Sequence, residues 1–92
     1  MNGTPNRHHA AAPHGEAGAW LRKQRHYWQI TQAELAEQIG IGEVALIDAI
    51  EQGEVAMPEF LRDAVALAFS IHRDDMARYC DEWYGREAAK AA

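Results

Sequence analysis

From Glu16 onward apolar positions recur three and four residues apart, and no window alternates strictly between apolar and polar as a half-buried strand would. This pattern predicts an all-α domain of five helices. The first, over residues 16 to 29, puts Ala17, Leu21 and Gln24 or Trp28 on one stripe and leaves Arg22, Lys23 and His26 outside it. Thr31-Gln32-Ala33-Glu34 has the form of a capping box, in which the Thr hydroxyl and the Glu carboxylate each accept from the other residue's backbone N–H. A second helix is therefore expected to begin at Gln32, with Leu35, Ala36 and Ile39 inward. Gly40 is placed to end it in the left-handed conformation, and Gly40 and Gly42 flank Ile41 in a tight turn. A third, short helix from about Glu43 to Glu51 stops at Gly53 and offers Leu46, Ile47 and Ile50 to the core. Pro58 opens a fourth through about Phe69, with Phe60 or Leu61, Ala64, Val65 and Ala68 at core spacing, and Ser70-Ile71-His72 breaks it. The fifth, residues 73 to 84, carries Met76, Tyr79, Cys80 and Trp83 ahead of Gly85.

Both ends differ in composition from this core. Residues 1 to 15 hold Pro, Gly and His and, beyond Met1, no large apolar residue, so burial there has nothing to offset the entropy of ordering. They are expected to form a disordered arm. His8, His9 and His14 have no Cys, Asp or Glu among them at ligand spacing, so the arm is read as solvated and no metal is expected. Residues 16 to 85 form the domain, and residues 86 to 92 an Ala-rich tail. At 92 residues there is room for one domain only, and a chain this small buries roughly 60 to 65 % of its unfolded surface, which makes oligomerisation a natural supplement. The lone Cys80 excludes an intramolecular disulfide and a Cys-rich zinc site. No run approaches the roughly 20 apolar residues of a membrane span, and the N-terminus lacks the apolar core of a signal peptide, so a cytoplasmic protein is expected.

Two helices joined by a Gly-containing turn and followed by two more short helices are the layout of a helix-turn-helix domain. The run LRKQRHYWQITQAELAEQIGI, then IDAIEQG, Met57-Pro58 and AFSIHRDDM resembles the Cro/C1-type (XRE) helix-turn-helix family over residues 17 to 77. The resemblance rests on Leu21-Arg22-Lys23, Arg25, Ile30-Thr31-Gln32, Glu34-Leu35-Ala36, Gly40, the Ile50-Glu51-x-Gly53 exit and Pro58, in order. It implies a compact five-helix bundle of the lambda-repressor-like type. This chain has one residue more than the family pattern between the turn Gly and the Ile-Glu exit. Anchoring at the exit puts Ile47 and Ile50 inward and buries more apolar surface than anchoring at Gly40, which locates the extra residue in the Gly40-Ile41-Gly42 turn. In that register Arg25 and Glu51 fall where the family has an ion pair bracing its recognition helix.

The resemblance further implies a small DNA-binding transcriptional regulator. The helix that begins near Glu43 would lie in the major groove, and Gln32 matches a phosphate-gripping position. The DNA-facing candidates are Gln32, Glu43, Val44, Ala45 and Asp48, with Arg22 and Lys23 of the first helix. Base edges are read by Arg, Lys, Asn, Gln, Ser and Thr, whereas Glu43 to Glu59 contains five acids and no base. The charge is polarised as well. Arg7, Arg22, Lys23 and Arg25 against Glu16 give residues 1 to 30 a net +3, which leaves −8 on the rest of a chain of net −5. The alternative is a protein-interaction module that keeps the helix-turn-helix fold without reading DNA, such as an anti-activator or a subunit occluding a partner's DNA site. Tyr79, Trp83 and Tyr84 lie beyond the usual four-helix core and are candidates for a homodimer interface, with Met76 assigned to the core; of Trp20 and Tyr27, one is expected to be exposed. No nucleophile with a base and an orienting group occurs, and no phosphate-cradling Gly loop, so neither an enzyme nor a cofactor is expected.

Overall fold

The computed structural model describes residues 13–91, with side chains described as far as Gly85. Among the described residues five helices follow one another: α1 (Gly15–Tyr27), α2 (Gln32–Gln38), α3 (Val44–Glu51), α4 (Glu59–Ala68) and α5 (Arg73–Ala91). No strand occurs among the described residues, and the helices pack as an all-α bundle. The expected N-terminal arm, with Arg7, His8 and His9, lies outside the described residues over 1–12. His14 and Gly15, which that expectation included, belong to the fold. The His14 N–H donates to the Gly53 carbonyl at 3.0 Å, its own carbonyl accepts from Gly18 at 3.1 Å, and its ring meets Tyr84 edge-on at 5.5 Å. An aromatic and hydrogen-bonding anchor of this kind leaves no mark in a count of aliphatic residues.

One device ends each of the first four helices. Gln29, Gly40, Gly53 and Ser70 take positive φ values of 58°, 79°, 80° and 58°. The N–H of the next residue then returns to the carbonyl five positions back, as in Ile30 to Arg25, Ile41 to Ala36, Glu54 to Ala49 and Ile71 to Ala66. This is the Schellman geometry, which satisfies carbonyls that a helix end would otherwise leave open. At the start of α2 the capping box forms in full: Thr31 Oγ1 accepts from the Glu34 N–H at 3.0 Å, and the Thr31 N–H donates to Glu34 Oε1 at 2.7 Å.

Leu21 of α1, Leu35 and Ala36 of α2, Ile47 and Ile50 of α3, Leu61 and Val65 of α4, and Met76 and Cys80 of α5 meet in one core, with Met57 and Phe69 from the connections. Ile47 and Ile50 are buried whereas Leu46 and Ala49 are only half-buried, the inward pair that anchoring at the Ile50-Glu51 exit anticipated. Some stripe assignments change. Trp28 lies past the end of α1 and is exposed beside Tyr27, because the Gln29 reversal turns the chain before a further core position is reached. Leu61, not Phe60, is the core residue at the start of α4. The backbone of α5 continues through Gly85 to Ala91, past the expected stop at residue 84. Gly85 has no positive φ, and the run Arg86-Glu87-Ala88-Ala89-Lys90 is made of strong helix formers.

Candidate functional site

The α2–turn–α3 pair is fixed to α1 through one carboxylate. Glu51, in the last turn of α3, is buried, and Arg25 of α1 grips it with the two donors along one edge of its guanidinium: Nε to Oε2 at 2.7 Å and Nη2 to Oε1 at 3.0 Å. Arg25 also donates from Nη1 to the Ile30 carbonyl at 3.0 Å, which ties the end of α1 to the start of α2. Gln32 adds a donor from α2, its Nε2 lying 3.1 Å from Glu51 Oε1 and 3.2 Å from Asp48 Oδ1. Arg22 completes the ring, with Nε 3.6 Å from Glu51 Oε1 and Nη2 donating to the Glu51 carbonyl at 3.4 Å. Burial by itself would raise the Glu51 carboxyl. The hydrogen bonds from Arg25 and Gln32, with the charges of Arg25 and Arg22, outweigh it and hold the group below the ordinary glutamate value. The same hydrogen bond and charge push the Arg25 guanidinium up against the opposing effect of its own burial.

This arrangement requires a glycine that the sequence pattern did not single out. Gly18 lies in the first turn of α1, where α3 crosses so closely that a β-carbon there would be 2.5 Å from the Glu51 carbonyl oxygen and would also collide with the Ile50 carbonyl. Its only signal in sequence is a Gly inside an otherwise helical run, at a cost of about 1 kcal/mol relative to Ala.

The remaining candidates are distributed unevenly around this brace. Glu43, Val44, Ala45 and Asp48 are exposed along the outer face of α3, with Asp48 bonded to Gln32. Lys23 is exposed on α1, whereas Arg22 and Arg25 are turned onto Glu51. Gln32, expected to be exposed and free to grip phosphate, is half-buried and directs its amide N–H groups at two carboxylates. The aromatic residues of α5 also differ from expectation. Tyr84 is 8 % exposed, and its hydroxyl accepts the Met57 N–H at 3.1 Å beneath the Arg62 guanidinium, so its ring belongs to the core and offers no surface to a second copy. Tyr79 and Trp83 are half-buried because Trp20 of α1 lies against both, at 5.8 and 5.0 Å between ring centres. Tyr27 is the exposed member of the Trp20 and Tyr27 pair.

His72 places Nδ1 on the Asp74 N–H at 3.1 Å and so caps α5. Among the described residues no cluster of three or more His, Cys, Asp or Glu side chains could hold a metal ion, and no helix is long and apolar enough to cross a membrane. No family model matches this chain, and neither the curated proteins nor the solved structures yield a match.

Proposed function

We propose that the chain is a small regulatory module of the Cro/C1 (XRE) helix-turn-helix type whose α3 face docks on a basic protein surface instead of reading operator DNA. The observation that carries this reading is the electrostatics of that face. Glu43 and Asp48 flank the exposed Val44 and Ala45, no Lys or Arg occurs between Glu43 and Leu61, and the nearest bases and amide donor, Arg22, Arg25 and Gln32, are directed at Glu51. A surface of that sign is repelled by phosphate, which supplies most of the affinity of a DNA-binding protein. Apolar contact rimmed by carboxylates suits a partner rich in Arg and Lys. Anti-activation, or occlusion of a partner's own DNA site, fits such a module within transcriptional regulation.

A second reading, a DNA-binding regulator, is favoured by one observation. Val44 and Ala45 stand exposed side by side at the start of α3, where thymine methyl groups can be met, and Lys23 is exposed on α1 for a phosphate. Fluorescence anisotropy separates the two. The full chain is titrated against a labelled duplex from its own upstream region and against a scrambled duplex, at about 50 and about 200 mM salt. Absence of binding to either duplex at low salt is the expected result. Tight, sequence-dependent binding that weakens with salt would overturn the interaction reading and establish the DNA-binding one.

A further inference from the structure

The two most exposed large aliphatic or phenyl side chains of the described residues are both on α4: Phe60 at 75 % and Leu67 at 82 %. Seven residues at about 100° each bring them to within about 20° of the same direction, so they stand on one face some two turns apart. Half-buried Ala64 lies between them, and half-buried Ile71 continues the stripe past the helix end. The two ends of this face have complementary shapes. At the N-terminal end Phe60 projects as a knob. At the C-terminal end a hollow of about 270 Å³ opens, lined by Asp63, Ala66, Leu67, Ile71, His72 and Arg73. The hollow is an open depression with a mainly apolar lining, against which a phenyl ring can lie.

We infer that a second copy of this chain covers this face, its α4 running antiparallel to the first, with Phe60 of each copy seated in the hollow beside Leu67 of the other. A knob and a hollow at opposite ends of one helix satisfy each other only in that arrangement. The two-fold axis then passes between Asp63 and Ala64, and every contact is made twice, as in an isologous interface. Charge agrees with shape. Asp63 and Arg73 lie on one flank of the stripe, 3.9 Å apart and exposed. Under the two-fold axis both copies present that flank on the same side, so each Arg73 finds a second carboxylate in the partner's Asp63. Exposed pairs of this kind fix register more than they add affinity. The stripe is short, which places the interface at the small end of specific contacts, below about 1,200 Å² in total, and makes the dimer reversible on dilution. The face is separate from the outer face of α3, so the inference stands whichever ligand α3 meets.

Sedimentation equilibrium over a concentration series tests it. The wild-type mass rises with concentration from 10.3 kDa toward twice that value. Leu67→Asp and Phe60→Asp remain at the monomer mass throughout with unchanged helical circular dichroism, since both side chains are exposed in the single chain. A wild type that stays monomeric at the highest concentration, or a Leu67→Asp variant that associates like wild type, overturns the proposal. Asp63→Cys fixes the geometry. Oxidation links two copies near the axis, while the buried Cys80, whose thiol is pushed up by burial, gives no linked dimer in the wild type. Association without a link at position 63 overturns the antiparallel arrangement.

Discussion

Gly18 and Gln32 show how much of this molecule rests on single side chains, or on the absence of one. Adding a methyl group at Gly18 drives it into backbone carbonyls of α3, which cannot rotate away as a side chain could. Gly18→Ala is therefore expected to lower unfolding free energy by about 3 kcal/mol, the upper part of the usual overpacking range, although Ala is the better helix former. Urea denaturation checks it, and a gain in stability would mean that α1 and α3 do not cross this closely. Gln32→Ala removes donors from Glu51 and Asp48 and is expected to cost about 1 kcal/mol in the same measurement. Local sequence carried part of this. The Thr31 and Glu34 box was legible because its partners are three residues apart, and the Arg25 with Glu51 pairing because the resemblance supplied it. Gly18, and the two carboxylates that share Gln32, were not legible, since their partners are separated by between 16 and 33 positions and meet only when helices cross.

The helices themselves were written in the spacing of apolar residues, and their ends in Gly only half the time. Gly40 and Gly53 advertise the reversals after α2 and α3, whereas Gln29 and Ser70 adopt the same left-handed conformation after α1 and α4 without the residue that does so freely. A β-carbon in that conformation costs roughly 1 to 2 kcal/mol. Replacing each in turn, Gln29→Gly and Ser70→Gly, is expected to raise stability by about 1 kcal/mol once the greater chain entropy of Gly is deducted. Thermal unfolding followed by circular dichroism reads this directly, and a fall in Tm in both variants would mean that the side chains make contacts worth more than the relieved strain. The last helix was the least legible. Tyr79 and Trp83 looked like spare rings on α5 because Trp20, which lies against them, is about 60 positions away in the chain. Tyr84 likewise depends on Met57. Tyr84→Phe leaves the buried Met57 N–H without its acceptor, and a loss of about 1 to 3 kcal/mol is expected in the urea transition.

At the scale of the molecule, α1, α2 and α3 are joined at the Glu51 carboxylate, which couples the fold to pH. Its folded-state value is held below that of an unfolded glutamate, so the group contributes stability that is fully present above the ordinary value of about 4.3 and is lost as pH falls through the lowered value. Protonation cancels one half of the Arg25 pair while Arg25 stays charged in a largely enclosed site, with 11 % of its side chain exposed. Acid is thus expected to loosen α1, α2 and α3 together in one transition. The Glu51→Gln variant separates this from the general effect of titrating an acidic surface. It starts less stable at neutral pH, because an amide cannot match a carboxylate under a bidentate guanidinium, and it loses less stability than wild type on acidification from about pH 6 to about pH 3. Added salt leaves this difference largely intact, because a buried pair is poorly screened, while weakening exposed pairs such as Arg78 with Asp75. Parallel stability curves for variant and wild type across that pH range would show that Glu51 is not the group whose protonation opens the fold.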